Sequence, residues 1–120
     1  MAQDLAGFSF LIVEDEPLVA LDIQSILQSL GAASIRVCNT AAEARQALKS
    51  APPNAVLLDL VIGGRTIFDL AKELVEAGVK VMFVTGYAPA IPPEFQHLTV
   101  VEKPFDPEGL GAAVKRLLAP

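Results

Sequence analysis

The stretch AVLLDLVIGG, residues 55–64, decides the fold, because a short apolar run ends at one carboxylate, Asp59, and then meets a glycine turn. Two other apolar runs end at charged side chains: residues 8–13 precede an acidic pair, and residues 98–102 precede Lys103. In an open α/β sheet, ligands bind at the carboxyl ends of the parallel strands. If the three runs are neighbouring parallel strands, their polar ends meet at one edge and favour a metal ion and a phosphoryl group.

Helical patterns alternate with the apolar runs along the whole chain. Apolar residues recur at helical spacing after each of four runs, with Gly31, Pro52 and Gly78 placed to stop three of these helices. Short strands that alternate with helices predict a parallel sheet covered on both faces. The predicted strands are 8–13, 35–37 (an edge strand), 55–58, 79–84 and 98–102. The predicted helices cover 19–30, 40–48 (opened by a capping box), 66–74 (capped by Thr66) and 107–117 (started by Asp106 before Pro107).

The link between the fourth and fifth strands departs from this alternation. Residues 88–97 contain three prolines, two of them adjacent, which leaves room for about one helical turn after Pro93. We therefore expect a loop or short turn in place of the fourth helix.

Composition excludes several classes of protein. The chain has 120 residues, 52% of them hydrophobic, which suits one domain over residues 1–120 with a real core. One cysteine and one histidine do not support a zinc site or an internal disulfide, and the single thiol fits a cytoplasmic location. A net charge of −5 with scattered basic residues argues against direct nucleic-acid binding. Charged residues interrupt every apolar run, so we expect neither a membrane span nor a signal peptide.

The residues at the predicted strand ends suit phosphoryl transfer. Carboxylates such as Asp15 and Asp59 are ligands for Mg²⁺, with Glu14 acting directly or through water. Asp59 can also attack phosphorus as a nucleophile. Lys103 would offset charge on the transferred oxygens, and the Thr85 hydroxyl would donate a hydrogen bond.

Each of these residues also has a simpler interpretation. The acidic run at 14–16 can charge a helix N-terminus, and Asp59 and Thr85 can be turn residues. Lys103 can be a solvated lysine. Their joint occurrence at the ends of four predicted strands, in chain order, favours a common site.

The motifs VEDEP (13–17), LLDL (57–60), TG (85–86) and KPF (103–105) together resemble the receiver domains of two-component response regulators. The resemblance covers essentially the whole chain. It implies a flavodoxin-like (βα)₅ fold, a doubly wound parallel sheet of five strands in the order 2-1-3-4-5.

The resemblance also implies roles for individual residues. Asp59 would accept a phosphoryl group from a histidine kinase or a histidine phosphotransfer protein. Glu14, Asp15, Asp59 and the backbone carbonyl of Val61 would hold Mg²⁺ or Mn²⁺. Thr85 and Lys103 would contact the phosphoryl group, and the peptide bond between Lys103 and Pro104 would be cis.

One position and one segment depart from the common pattern of the family. Val100 stands where many members have an aromatic switch residue, so a threonine–aromatic switch is not expected. Instead the segment FVTGY (83–87) is similar to a divergent group of receivers with a FAT-GUY motif, although Val84 replaces alanine. In that group the fourth helix is shortened, and Tyr87 would influence hydrolysis of the acyl phosphate.

These features predict a phosphorylation switch or relay that acts through protein–protein contacts, with an unidentified target. We expect a monomer or weak dimer that catalyses its own Mg²⁺-dependent phosphorylation and dephosphorylation and is not a metabolic enzyme. A haloacid-dehalogenase-like phosphohydrolase is disfavoured, because it needs a second acid where Val61 stands. A nucleotide-binding domain is disfavoured because the chain has neither a dinucleotide fingerprint nor a Walker A loop.

Overall fold

The computed structural model of the chain describes residues 4–86 and 91–120. The strands are β1 (Ser9–Val13), β2 (Ser34–Cys38), β3 (Ala55–Leu58), β4 (Val61–Ile62), β5 (Arg65–Thr66), β6 (Lys80–Thr85) and β7 (Thr99–Glu102). In these ranges a parallel sheet of five strands has the order β2-β1-β3-β6-β7, and an antiparallel hairpin pairs β4 with β5. The helices are α1 (Pro17–Ser29), α2 (Ala41–Ser50), α3 (Phe68–Glu76) and α4 (Pro107–Leu118).

This sheet is the predicted doubly wound one. Without the small hairpin, the order reads 2-1-3-4-5 along the five main strands. Successive residues of a strand point to opposite faces, and the core is divided accordingly. On β1, Leu11 and Val13 pack with the helices α2 and α3, whereas Phe10 and Ile12 pack with α1 and α4.

The central strands are buried on both faces, whereas β2, at one edge of the sheet, is partly exposed. Every residue of β3 is buried, while β2 exposes Ser34, Arg36 and Val37. Parallel strands between two helical layers read as continuous apolar runs, whereas an edge strand retains polar residues. The prediction that 35–37 form an edge strand is confirmed.

The predicted capping of two helices is confirmed, and that of a third is wrong. Thr40 accepts a 3.1 Å hydrogen bond from the Glu43 N–H at the start of α2, and Asp106 accepts one from Gly109 at the start of α4. Thr66 does not cap α3: the helix begins at Phe68 after Ile67, without a side-chain cap. Thr66 instead belongs to β5, because the two glycines before it close a hairpin.

The segment that replaces a fourth helix agrees with the proline pattern. Its described part, residues 91–98, contains one 3₁₀ turn, Pro93–Phe95. Phe95 is buried there, stacked on Phe68 at 5.9 Å and edge-on to Phe83 at 6.0 Å between ring centroids. Among the described helices, none is long and apolar enough to cross a membrane.

Candidate functional site

The buried polar side chains of the described residues converge on one edge of the sheet. They are Glu14 at 1% exposure, Asp59 at 6% and Thr85 at 1%. Glu14 directly follows β1, Asp59 directly follows β3, and Thr85 is the last residue of β6. Because the three strands are parallel neighbours, their carboxyl ends align, and the predicted clustering of these residues is confirmed.

Lys103 brings a positive charge to this cluster from the end of β7. Its backbone N–H donates a 2.9 Å hydrogen bond to the carbonyl of Thr85, which extends the pairing of β6 and β7. The peptide bond to Pro104 is cis, as expected. The Lys103 ammonium lies 2.8 Å from Asp59 Oδ2 and 2.6 Å from Glu14 Oε1.

Asp15 is held at the rim of the site by the β4–β5 hairpin. The N–H of Gly63 donates a 2.8 Å hydrogen bond to Asp15 Oδ2. Gly63 and Gly64 have φ values of 61° and 77°, a left-handed conformation that glycine adopts without a steric penalty. The glycine pair therefore forms the tight turn that brings this N–H to the carboxylate.

The acidic side chains can share a cation. Glu14, Asp15 and Asp59 each offer a carboxylate oxygen, and these oxygens lie within 4.8 Å of one another. Glu14 Oε1 is fully buried, and no described donor hydrogen-bonds it with good geometry, although the Lys103 ammonium is close. A buried carboxylate oxygen without a hydrogen bond is costly, and hard oxygen ligands suit Mg²⁺. The residues present therefore fit a magnesium ion.

Burial and mutual repulsion perturb the titration of the site. Burial raises the pKa of Glu14 to about 7, with a contribution from Asp59 and against the opposing effect of Lys103. Burial by itself would lower the pKa of Lys103, but the close contacts of its ammonium with the carboxylates of Asp59, Glu14 and Glu16 outweigh it and raise that pKa. Lys103 thus supplies a positive charge that helps the carboxylates to lie close together.

The remaining predicted site residues are placed as follows. Val61 begins β4 next to the cluster, and its N–H donates a 3.3 Å hydrogen bond to Asp59 Oδ1; the role of its carbonyl stays a prediction. Pro104 lines a cavity of about 290 Å³ beside Lys103. Tyr87, the last residue of the FVTGY segment, lies outside the described residues.

One residue of the site was not predicted. Glu16 Oε1 lies 2.9 Å from the Lys103 ammonium, although the two residues are 87 positions apart in sequence. Its sequence signal is the third acid of the run 14–16, a pattern that by itself indicates only negative charge at a helix N-terminus.

Comparisons with known proteins agree with this geometry. Residues 10–115 match the family described as response regulator receiver domain. The chain is 32% identical over 127 residues to the phyllosphere-induced regulator PhyR of Methylorubrum extorquens, covering 98% of this chain and 46% of the relative. It thus spans about half the length of that relative.

Two solved structures have the same fold. A mutant of PhyR from Bartonella quintana, described as an anti-anti-sigma factor, superposes with a TM-score of 0.85 at 26% identity, over 98% of this chain and 50% of that one. SdrG from Sphingomonas melonis Fr1 superposes with a TM-score of 0.79 at 28% identity, over 97% of this chain and 98% of that one. With the family match over most of its length, the chain belongs to the response regulator receiver domain family.

Proposed function

We propose that residues 1–120 act as one receiver domain in which Asp59 accepts a phosphoryl group from a histidine kinase or a histidine phosphotransfer protein. The observation that carries the proposal is the surroundings of Asp59. This carboxylate is buried, an ammonium lies 2.8 Å away, and two further carboxylates lie within the distance needed to share a cation. A carboxylate that only capped a turn would need none of these neighbours.

The chemistry is an in-line displacement at phosphorus. A carboxylate oxygen of Asp59 attacks the phosphorus of a phosphohistidine, and the new O–P bond forms as the P–N bond breaks. The leaving imidazole retains the bonding electron pair and takes up a proton. Lys103 is already within reach of Asp59 and binds an oxygen of the transferred group, while the buried Thr85 hydroxyl donates a hydrogen bond to another.

Receiver domains bind Mg²⁺ through acidic residues, and the residues that would hold the ion in this chain are Glu14, Asp15, Asp59 and the carbonyl of Val61. When bound, the ion neutralises charge on the phosphoryl oxygens. Glu14 and Asp15 provide the negative charge that keeps it there. The Gly63 N–H holds Asp15 Oδ2, which fixes the orientation of that carboxylate at the rim.

The signal leaves the domain through protein–protein contact. Transfer of a phosphoryl group changes the charge beside the ends of β3, β6 and β7, and such a change shifts an equilibrium between conformations. The PhyR of Bartonella quintana is described as an anti-anti-sigma factor, and this chain aligns with half of it. The SdrG chain is covered almost completely. A route that ends in control of a sigma factor is therefore the favoured output.

The test is Mg²⁺-dependent labelling by acetyl phosphate, detected by intact-mass spectrometry as an adduct that hydroxylamine removes. Asp59→Asn abolishes the adduct, and EDTA does so in the parent protein. Asp22→Asn, an exposed change on α1, is the matched control and retains the adduct. An adduct that persists in Asp59→Asn contradicts the site assignment.

A further inference from the structure

Glu16 differs from the other carboxylates around Lys103 in its exposure. The ammonium contacts three carboxylates, at 2.6 Å for Glu14, 2.8 Å for Asp59 and 2.9 Å for Glu16. The side chains of Glu14 and Asp59 are 1% and 7% exposed, whereas that of Glu16 is 60% exposed. Lys103 therefore has two inner partners and one outer partner that faces solvent.

The Lys103 ammonium donates hydrogen bonds to Asp59 Oδ2 and Glu16 Oε1, and Glu14 Oε1 forms an ion pair with it. An ammonium has three N–H groups, and three carboxylates surround this one. Formation of the acyl phosphate removes the carboxylate charge of Asp59, so Glu14 and Glu16 are the carboxylates that still compete with a phosphoryl oxygen for Lys103. An exposed ion pair contributes little and its carboxylate is readily hydrated, whereas an unpaired buried carboxylate is very costly. Glu16 is therefore the partner that is displaced.

Glu16 is free to leave because its side chain has no structural task at its own position. It occupies the N-cap position of α1 without capping the helix through its side chain. The first N–H groups of a helix lack partners within the helix and favour negative charge, so a released Glu16 carboxylate can stay near them. Glu16 and Lys103 also border the cavity of about 290 Å³, which leaves room for movement.

We propose that Glu16 competes with the phosphoryl group for Lys103 and so lowers the affinity of the site for that group. This inference rests on the proposed function. Glu16 acts through Lys103 and does not touch the reacting atoms, so it is a positioning residue. Its effect is opposite to that of a supporting residue: removing its charge strengthens phosphoryl binding.

The experiment is a titration of the full chain with beryllofluoride in the presence of Mg²⁺, followed by NMR. Glu16→Gln is expected to bind beryllofluoride about two- to fivefold more tightly than the parent, the range that the loss of an exposed ion pair allows. Asp22→Asn is the matched control, because Asp22 lines the same cavity and carries the same charge. The beryllofluoride affinity of Asp22→Asn should stay close to that of the parent, because this variant changes the net charge without touching the contact between Glu16 and Lys103.

A second readout needs no metal. In EDTA, the side-chain ¹⁵N signal of Lys103 shifts in Glu16→Gln and keeps its position in Asp22→Asn. Weaker or unchanged beryllofluoride binding by Glu16→Gln overturns the inference alone, as does an equal gain in Asp22→Asn. If the parent and both variants all fail to bind beryllofluoride, the proposed function fails and the inference fails with it.

Discussion

The backbone N–H of Gly63 donates a 2.8 Å hydrogen bond to Asp15 Oδ2, across 48 positions of sequence. This contact fastens the β4–β5 hairpin to the acidic cluster. The donor belongs to a turn whose two glycines have positive φ, so the geometry of the turn and the orientation of one proposed metal ligand depend on each other.

Gly63→Ala should therefore weaken Mg²⁺ binding. A Cβ at this position meets no atom within 4 Å, so its cost is the left-handed backbone alone, about 1–2 kcal/mol. The hairpin relieves that strain by moving away from Asp15, and we expect the Mg²⁺ affinity measured by calorimetry to fall up to about fivefold. Gly78→Ala is the matched control: its φ is 80° and its surroundings are equally open, but it follows α3, away from the hairpin. Equal affinities in the two variants would contradict the coupling.

Lys103→Ala tests whether the Lys103 ammonium stabilises the folded protein by neutralising the buried carboxylates of Glu14 and Asp59. The change leaves Glu14 and Asp59 close together without the ammonium that lies within 2.8 Å of both. We expect the metal-free variant to lose about 3 kcal/mol of unfolding free energy, the typical cost of breaking a buried pair. Excess Mg²⁺ restores most of that loss, because the cation replaces the missing positive charge. Urea unfolding with EDTA and with Mg²⁺ measures both.

The same variant separates phosphorylation from its readout. We expect Lys103→Ala to bind beryllofluoride when Mg²⁺ is present, while amide signals distant from Asp59 no longer shift. Lys115→Ala, which removes an exposed lysine paired only with Asp4 among the described residues, is the control and keeps those shifts. The same distant shifts in Lys103→Ala as in the parent would remove Lys103 from the signalling route.

Glu14 makes the unfolding free energy of the metal-free protein depend on pH, and the direction of its pKa shift fixes the sign of that dependence. Its pKa is raised from 4.5 to about 7 in the folded state, so folding favours the protonated carboxyl. The associated stability is fully present below pH 4.5 and is lost as the pH rises through about 7. Glu14→Gln is neutral at every pH, so its unfolding free energy relative to the parent should rise between pH 4.5 and pH 8. A shift of this size corresponds to a rise of up to about 3 kcal/mol.

Urea unfolding in EDTA at both pH values measures this difference. Glu73→Gln is the control of opposite sign, because the hydrogen bond from Arg45 lowers the pKa of Glu73. Its unfolding free energy relative to the parent should not rise with pH. A constant difference between Glu14→Gln and the parent from pH 4.5 to pH 8 would show that the Glu14 carboxyl titrates normally.

The elements and the inner site were predictable because they follow local rules. Strands ending at Val13 and Leu58 read as apolar runs, and parallel pairing then requires that Glu14 and Asp59 meet. The proline spacing likewise predicted a short turn after Pro93, and the 3₁₀ turn covers Pro93–Phe95. In each case the signal lies within about ten residues of sequence.

The outer parts of the site were not predictable in this way. The hairpin strands have two residues each, too few for a period of hydrophobicity, and Thr66 looked like a helix cap. The contact between Glu16 and Lys103 depends on how α1 is placed against the end of β7. No local pattern encodes that distance, and an acid before a helix has an adequate explanation in the helix dipole.

Phe95 should anchor the segment that stands in place of a fourth helix. Its ring is 4% exposed and contacts Phe68 on α3 and Phe83 on β6, so it connects the 3₁₀ turn to the core. Phe95→Ala should cost about 3–5 kcal/mol of unfolding free energy, whereas Phe95→Leu, which keeps most of the volume, should cost under about 1.5 kcal/mol.

Urea unfolding measures the loss in both variants, and amide exchange of Gln96 and Leu98, whose N–H groups donate hydrogen bonds to carbonyls of the turn, reports the local effect. Faster exchange of these two amides in Phe95→Ala than in Phe95→Leu is expected, because the turn has no other buried side chain among its three residues. A loss below 1 kcal/mol in Phe95→Ala would mean that the turn is held by its backbone and not by this ring.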